Sequence, residues 1–454
     1  MDKLLSVGLD VGTTTTQLIV SSLIVQNKGN SFSVPELVID ERRVLYQSPV
    51  IFTPLLSGEL VDGDAIARWV TEQYACAGIS KEQVDTGAVI ITGETSRKEN
   101  AREVLSALSG FAGDFVVATA GPDLESVLSA KGAGATDYSA KTGKTVLHMD
   151  IGGGTSNLSY IEDGKVVATG CLNVGGRLIK LDNRGAITYL SPVLTGLCRL
   201  QVGQIPTEGD LKQVVVLLVQ TLEMAADLRP ASSLLDKLTT RGNQGSWVCK
   251  KADVISFSGG VADCIQNEAD TFAYGDLGVL LGKTIRESLL CRGQFRLGTE
   301  TIRATVIGAG CHSAQLSGST IFSGGISLPQ KNLPVVSLAM PVQPEAVADA
   351  YRGQDADTVV LAIPGYPSPS YGELQALAEA LVTGSGQREL IVCLQTDMAK
   401  ALGHAIRILQ PDRPCLCIDR VSLGAESFLD IGTPVGPALP VVVKTLVLSN
   451  KQVF

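Results

Sequence analysis

Two stretches of the chain share one pattern, in which an apolar run ends in aspartate, turns through glycine and threonine, and continues as a second apolar run. They are GLDVGTTTTQLIV at residues 8–20 and HMDIGGGTSNLSYI at residues 148–161. Apolar runs of this length are typical of buried strands, and glycine permits the tight turn between them. Each stretch therefore predicts a strand-turn-strand unit, with Asp10 and Asp150 at equivalent strand ends.

The elements after each stretch also alternate. After the first unit, the pattern predicts strands at 37–47, 87–94 and 115–119 and helices at 64–76, 97–108 and 124–131. The pattern then restarts with strands at 145–150, 156–162 and 165–172, a long helical region from about 175 to 240, a buried strand in 253–262, and a strand leading into a glycine-rich helix over 302–318. The chain is thus predicted to contain two similar halves, each opening with Asp-x-Gly-x-x-Thr.

The last 130 or so residues predict a separate α/β unit. Strands are expected at 357–365, 388–397, 415–422 and 440–450, with helices at 371–381 and 398–408. We therefore divide the chain into a first half (1–140), a second half (141–320) and a C-terminal α/β region (321–454). FLDIGTPVG at 428–436 is interpreted as an ordinary turn, because Pro434 has no N–H and no threonine run follows. Whether the region contacts a client protein or completes the neighbouring half stays open.

Composition narrows the classes of function. Hydrophobic residues make up 45% of the 454 residues and charged residues 18%, which is typical of a compact globular protein. The net charge of −9 argues against nucleic-acid binding. The strongest late apolar run, VVVLLV at 214–219, is far shorter than the roughly 20 residues of a membrane span. We therefore expect a cytoplasmic protein without a membrane anchor, in which most of the ten cysteines are buried, reduced thiols and the three histidines form no zinc site.

The two turns suit a polyphosphate ligand. Glycine lets the backbone approach a ligand closely, and threonine hydroxyls with successive N–H groups form a nest for an anion. A carboxylate repels phosphate but binds Mg²⁺, directly or through water, which makes Asp10 and Asp150 the candidate metal ligands. The candidate phosphate-binding residues are Gly12, Thr13, Thr14, Thr15, Gly152, Gly153, Gly154 and Thr155. Either turn alone is also compatible with an ordinary hairpin.

Two further glycine motifs follow. In SFSGGVA, Gly259 and Gly260 lie between a buried strand and a helix start, where N–H groups can meet an α-phosphate or an adenosine. In IGAGCHSAQLSG, Gly308 and Gly310 allow a helix to pack closely on its neighbour, as a crossing at a hinge requires.

Five segments of the chain resemble, in order, the five motifs of the actin/heat-shock chaperone/sugar kinase ATPase superfamily. These segments are LDVGTTTT, AVIITGE, MDIGGGTSN, ISFSGGVA and IGAGCHSAQLSG. They are similar to its first phosphate loop, first connection, second phosphate loop, adenosine loop and second connection. The resemblance covers residues 1–320. It implies an α/β fold of duplicated RNase H-like domains around a nucleotide cleft, with one phosphate loop and one aspartate from each copy, and ATP and Mg²⁺ as ligands.

Within that superfamily the chain most resembles the reactivating factors of ethanolamine ammonia-lyase. The resemblance lies in GLDVGTTTTQLIVS, HMDIGGGTSNLSYIEDGKV, LNVGGRLI and the appended C-terminal region. It implies an ATP-dependent, chaperone-like action on the lyase holoenzyme that carries damaged cobalamin, so that intact adenosylcobalamin can rebind. It also implies a location in the cytoplasm, with association with the ethanolamine bacterial microcompartment.

One departure from the superfamily concerns hydrolysis. Its chaperones carry a Glu-Pro before the second phosphate loop, and that Glu positions the attacking water; here Gly121 precedes Pro122. Asp123 or Glu125 is the replacement candidate, and Glu125 joins Asp10 and Asp150 as a candidate catalytic residue. Alternatively, a carboxylate at this position has no catalytic role and stabilises the helix N-terminus. The departure implies a slow Mg-dependent ATPase that acts as a molecular switch.

Three other functions of the same fold are considered. A small-molecule kinase requires a catalytic aspartate in a substrate pocket, and no segment points clearly to one. An actin-like filament protein requires nucleotide-dependent assembly. An activator with an iron–sulfur cluster requires paired cysteines at a subunit interface, and the sequence shows no such pair.

Overall fold

The computed structural model describes three sheets with their helices. The described residues are 2–12, 15–27, 37–57, 60–91, 100, 104, 108, 117–119, 122–240, 247, 250–266, 269–312, 314–316, 321–352, 358–421, 427–434 and 439–445. Thr13, Thr14 and most of the helix predicted at 97–108 therefore lie outside the described residues.

The first sheet is built around the first strand-turn-strand unit. Its elements are β1 (Asp2–Val11), β2 (Thr15–Asn27), β3 (Leu37–Gln47), β4 (Ile51–Phe52), a small hairpin of β5 (Leu55–Ser57) and β6 (Leu60–Val61), α1 (Gly63–Ala77), β7 (Thr86–Ile91) and β8 (Val117–Thr119). The sheet order is β3-β2-β1-β7-β8, with β4 paired to β2. β1 to β3 are antiparallel, whereas β7 and β8 run parallel to β1. α1 packs its apolar residues on this sheet.

The second sheet repeats that order. Its elements are α2 (Pro122–Gly132), α3 (Ala135–Thr142), β9 (Val146–Ile151), β10 (Ser156–Glu162), β11 (Lys165–Leu172), a hairpin of β12 (Ile179–Leu181) and β13 (Ile187–Leu190), α4 (Glu208–Ala225), α5 (Ser233–Leu238), β14 (Val254–Ser258), α6 (Gly260–Gln266), α7 (Gly278–Glu287), β15 (Phe295–Leu297) and α8 (Ala304–His312). The order β11-β10-β9-β14-β15, with three antiparallel and then parallel strands, is that of the first sheet. The predicted duplicated RNase H-like fold is therefore confirmed.

Two helices connect the halves crosswise. α2 packs on β9, β10 and β11 of the second sheet, and α8 packs on β1, β2 and β7 of the first. The helices touch each other where a Cβ on Gly308 would collide with the carbonyl oxygen of Leu128, and one on Gly132 with that of Ala304. The close packing predicted for Gly308 is confirmed.

Two element predictions are wrong. The long helix expected over 175–240 is interrupted by the β12–β13 hairpin, and α-helices form only at α4 and α5, with one 3-10 turn at Pro192–Leu194. Asp182 causes the turn, because its carboxylate accepts the N–H groups of Arg184 and Ala186, and Gly185 adopts a φ of 80°. The strand expected to precede the glycine-rich helix is absent from the described residues at 302–312, where α8 begins at Ala304.

The C-terminal region forms the third sheet, of eight strands. Its elements are β16 (Ala314–Leu316), β17 (Phe322–Gly324), β18 (Gln330–Ser337), α9 (Pro344–Arg352), β19 (Val360–Ile363), α10 (Tyr371–Ser385), β20 (Leu390–Leu394), α11 (Ala399–Leu409), β21 (Cys415–Ile418), β22 (Ser427–Ile431) and β23 (Pro440–Thr445). β18 to β21 are parallel neighbours, and antiparallel strands flank them on both sides. The predicted α/β unit is confirmed.

The cysteines of the described residues are free thiols. Of the eight whose side chains are described, five are buried, two are half-buried and Cys76 is exposed. Burial raises the pKa of the Cys393 thiol to about 12, which keeps it protonated and unreactive at neutral pH.

Candidate functional site

The two predicted phosphate loops are closed by equivalent backbone hydrogen bonds. The N–H of Gly12 donates to the carbonyl oxygen of Thr15 at 2.9 Å, and that of Gly152 donates to Thr155 at 2.9 Å. Beyond the turns, Asp10 pairs across β1 and β2 with Gln17, and Asp150 pairs across β9 and β10 with Asn157. Internal duplication thus places the two aspartates at equivalent positions.

Neighbouring segments support each loop from behind. At the first loop, the Thr53 hydroxyl donates to the carbonyl oxygen of Gly12 at 2.7 Å. At the second loop, the N–H groups of Gly176 and Arg177 donate to the carbonyl oxygens of Gly152 and Gly153 at 3.0 and 2.6 Å. A side chain on Gly175 would collide with the backbone of Gly153. The LNVGGRLI segment noted in the sequence therefore holds the second loop in place.

Asp150 is fixed by hydroxyl groups at both carboxylate oxygens. The Ser258 hydroxyl donates to Oδ1 at 2.6 Å, and the Thr305 hydroxyl donates to Oδ2 at 3.2 Å. Ser258 also lies 2.9 Å from Nε2 of His148, whose Nδ1 lies 3.2 Å from the Ser256 hydroxyl. A continuous polar network therefore runs from the second sheet to α8, on which Thr305 lies.

Burial controls the charge of this network. It raises the pKa of the Asp150 carboxyl, while the hydrogen bonds from Ser258 and Thr305 lower it and so favour the ionised form. Burial, with a smaller contribution from the positive charge of Arg296, lowers the pKa of His148 to about 3, so this imidazole is neutral at pH 7. The arrangement supplies a carboxylate whose charge a cation would stabilise.

The predicted motifs meet at one segment, Thr301–Thr305. Gln17, opposite Asp10, donates from Nε2 to the carbonyl oxygen of Ile302 at 3.0 Å. The N–H of Gly259 in the predicted adenosine loop donates to Thr301 at 3.0 Å, and Thr305 holds Asp150 as described. Both halves therefore present their candidate residues to the same part of the molecule.

The predicted adenosine loop is packed tightly beside the second phosphate loop. Gly259 has a φ of 85°, which favours glycine, and a Cβ there would collide with the backbone of Ile151. Gly260 begins α6. The double glycine thus allows β14 and its helix to approach the strand that carries Asp150.

The donor set fits Mg²⁺ and a nucleotide. Asp10 and Asp150 are each only 7% exposed. The amide oxygens opposite them, Oε1 of Gln17 and Oδ1 of Asn157, are buried and have no hydrogen-bond partner among the described residues. Directly opposed residues of an antiparallel pair point to the same face, so each carboxylate has an amide oxygen beside it. Carboxylate and amide oxygens are ligands of Mg²⁺ or of its bound waters. Within the described part of the chain, no group of three or more His, Cys, Asp or Glu side chains forms an alternative metal site.

The positions of the other predicted residues do not assign them a role. Glu125 lies half-buried in the first turn of α2, and Pro122 begins that helix. Residues 428–431 of FLDIGTPVG belong to β22, and the N–H of Gly432 donates to the carbonyl oxygen of Pro440 at 2.9 Å, which continues the pairing with β23. Because residues 435–438 lie outside the described residues, the interpretation of this segment as an ordinary turn stays a prediction. Among the described residues, no helix is long and apolar enough to cross a membrane.

Sequence reasoning missed several polar residues of the site. Ser258, Thr305, Gln17 and Asn157 were not predicted to contact or neighbour the aspartates. Gln17 and Asn157 could have been found, because each follows its aspartate at the same seven-residue spacing across a turn of the same length. Thr305 carries no such signal, since its contact depends on how α8 packs.

Comparisons with known proteins agree with the motifs. The family described as ethanolamine utilisation protein EutA matches residues 2–449. The ethanolamine ammonia-lyase reactivase EutA of Salmonella typhimurium is 37% identical over 484 residues, which cover 98% of each chain. The protein of that name from Escherichia coli strain K12 is 37% identical over 478 residues, again with 98% of each chain covered.

Solved structures are more distant. The Ppx/GppA family member of Aquifex aeolicus has 16% identity and a TM-score of 0.38, covering 68% of this chain and 88% of that one. The activator of 2-hydroxyisocaproyl-CoA dehydratase from Clostridium difficile, with bound ADPNP, has 12% identity and a TM-score of 0.32, covering 68% and 94%. The family match over nearly the whole chain confirms the resemblance that the motifs indicated. The chain therefore belongs to the family of the ethanolamine utilisation protein EutA.

Proposed function

We propose that this protein is an ATP-dependent, chaperone-like reactivating factor for ethanolamine ammonia-lyase. It would release damaged or inactive cobalamin from the lyase holoenzyme so that intact adenosylcobalamin can rebind. The relatives at 37% identity are named as ethanolamine ammonia-lyase reactivases, and the similarity covers 98% of their length. The observation that carries the proposal is the convergence on Thr301–Thr305 of the adenosine loop, of Asp150 and of Gln17, the residue opposite Asp10.

The loops would divide the nucleotide between them. Residues 12–15 and 152–155 would hold the phosphates through N–H and hydroxyl groups, and Gly259 and Gly260 would lie beside the adenosine. Asp10 and Asp150 would hold Mg²⁺ directly or through water, and the bound ion would neutralise phosphate charge. Ser258 and Thr305 each occupy one side of an Asp150 oxygen, which leaves further lone pairs of the carboxylate for this task.

Hydrolysis is proposed to be slow. Asp123 and Glu125 are the candidates for positioning water, and their place in the first turn of α2 equally suits stabilisation of the helix N-terminus. A slow ATPase acts as a switch, because each nucleotide state persists long enough to change the affinity for a protein client.

The three regions would have separate tasks. Residues 1–140 and 141–320 would form the two walls of the nucleotide cleft, and residues 321–454 would contact the lyase. The third sheet begins with β16 at Ala314, which pairs with β23 and so ties the end of the second half to this region. We place the protein in the cytoplasm, in association with the ethanolamine microcompartment.

The test uses lyase blocked with cyanocobalamin. The blocked enzyme is incubated with the full chain, Mg-ATP and adenosylcobalamin, and ethanolamine deamination is followed. Activity is expected to recover only when the chain and Mg-ATP are both present. Absence of recovery, together with transfer of labelled γ-phosphate to a small metabolite such as ethanolamine, glycerol or acetate, would replace this proposal by the small-molecule kinase.

A further inference from the structure

The proposed nucleotide site lacks a cation in its own loops. Residues 10–15 read DVGTTT, residues 150–155 read DIGGGT, and residues 259–260 are both glycine, so none of them is lysine or arginine. A nucleoside triphosphate remains negatively charged after binding Mg²⁺, and Asp10 and Asp150 add negative charge. A positively charged side chain near the phosphates would therefore be needed to balance the site.

Arg177 is attached directly to the second phosphate loop. Its N–H donates to the carbonyl oxygen of Gly153 at 2.6 Å, which fixes its backbone beside residues 152–155. Its Nε lies 3.1 Å from Oδ2 of Asp276, and the other oxygen of Asp276 accepts the N–H of Gly278 at 2.8 Å. The guanidinium is thus held at one edge by a buried carboxylate that is itself fixed.

The other face of the guanidinium meets the first half. Cζ of Arg177 lies 5.5 Å from the ring centroid of Phe52, which pairs across the strands with Thr15 of the first phosphate loop. Phe52 is 75% exposed, so its ring covers the guanidinium without being fixed in a core. Within the described part of the chain, Nη1 and Nη2 of Arg177 have no hydrogen-bond partner. A planar fork with unused donors therefore lies between the two phosphate loops.

We propose that Arg177 is the cationic phosphate-binding residue of the nucleotide site, and that its guanidinium exchanges the Phe52 ring for phosphate oxygens when nucleotide binds. Arginine binds phosphate through two parallel N–H donors, which is the geometry that its free nitrogens offer. Asp276 holds Nε and so aims the fork, whereas the contact with an exposed ring is weak and easily given up. The inference rests on the proposed function for the presence of a nucleotide in the cleft.

Calorimetric titration of the full chain with Mg-ATP, Mg-ADP and AMP tests this. Arg177→Gln is expected to weaken Mg-ATP binding by about ten- to a hundredfold, the range for a hydrogen bond to a charged group, and to leave AMP binding at the wild-type level. Arg177→Lys keeps the positive charge but not the two parallel N–H donors. Its affinity for Mg-ATP is expected to lie between those of the wild-type chain and Arg177→Gln. Arg388→Gln is the matched control, because that guanidinium lies 5.4 Å from the Tyr351 ring in the C-terminal region.

Phe52→Leu provides a second test that does not depend on how Arg177 variants fold. Removal of the competing ring is expected to tighten Mg-ATP binding by about two- to fivefold, the range for an exposed cation–π contact. Wild-type Mg-ATP affinity in both Arg177→Gln and Phe52→Leu would overturn the inference while leaving the proposed function intact. Equal losses for Mg-ATP and AMP in Arg177→Gln would also overturn it, because they indicate a structural role. Failure of the wild-type chain to bind Mg-ATP would instead defeat the proposed function along with the inference.

Discussion

Asp150, the proposed metal ligand, is held in place by its neighbours. The carboxylate is 7% exposed and accepts hydroxyl groups at both oxygens, so it is held in one orientation before any ligand arrives. Its donors come from different elements, β14 and α8, and the second of these packs on the opposite half. A change in the position of α8 therefore reaches the proposed metal ligand directly.

The first prediction concerns the two aspartates. Asp10→Asn and Asp150→Asn should each weaken Mg-ATP binding by about 1.5–3 kcal/mol, because each removes one charged partner of the proposed Mg²⁺ ion. Calorimetry measures the affinity, and Asp349→Asn, an exposed residue paired with Arg352, serves as the control. Unchanged affinity in both cleft variants would remove the aspartates from the site.

The second prediction concerns Ser258. Ser258→Ala leaves Oδ1 of Asp150 and Nε2 of His148 without their shared partner in a buried region, whereas Ser256→Ala affects only Nδ1 of His148. We expect Ser258→Ala to lower the free energy of unfolding by about 1–3 kcal/mol more than Ser256→Ala does. Chemical denaturation at pH 7 measures the difference. Equal stabilities would mean that the hydroxyl does not hold Asp150.

At this scale the sequence predicts residue types better than contacts. Recognisable apolar patterns end at Asp10 and Asp150 and are followed by the glycines of the two turns. In the structure these residues occupy corresponding positions in the two sheets. Thr305 and Arg177 are not recognisable in this way, because their contacts are set by the packing of α8 and by the position of Phe52. A local pattern cannot report a partner that is more than a hundred residues distant.

At the scale of elements, the crossing of α2 and α8 links the two sheets. Each helix lies on the sheet of the other half, and glycines at the crossing bring the two backbones into contact. We therefore expect the crossing to transmit movement between the sheets through rigid helices.

The third prediction tests this crossing. Alanine usually stabilises a helix relative to glycine, but a Cβ on Gly308 would collide with the carbonyl oxygen of Leu128. Gly308→Ala should therefore destabilise the protein by about 1–3 kcal/mol, as overpacked sites do. Gly293→Ala is the control, since a Cβ there has no neighbour within 4 Å. Thermal or chemical unfolding measures both, and a stabilised Gly308→Ala variant would contradict the close crossing.

Elements were predicted well where apolar patterns were long and poorly where side chains shape the backbone. β3 and β10 have the predicted bounds, and in β10 the reason is a buried run, which specifies a strand. The region 175–240 was predicted as helix because its apolar residues are dense. The Asp182 turn and the residues Pro192, Gly196 and Gly203 break that region into a hairpin and shorter helices.

At the scale of the whole molecule, α8 and β16 connect the two halves to the C-terminal region. The second half ends in α8, which contacts Asp150 through Thr305, and the next strand, β16, already belongs to the third sheet. A nucleotide that shifts α8 would therefore also shift the attachment of the region proposed to contact the lyase. Such coupling is reciprocal, so the lyase must change nucleotide affinity by the factor by which nucleotide changes lyase affinity.

The affinity of the full chain for ethanolamine ammonia-lyase, titrated with Mg-ATP and again with Mg-ADP, tests this account most directly. We expect the two dissociation constants to differ by about five- to 150-fold, the range of typical allosteric coupling, and the difference to vanish in Asp150→Asn. Equal affinities for the lyase in both nucleotide states of the wild-type chain would contradict a nucleotide-controlled reactivating factor.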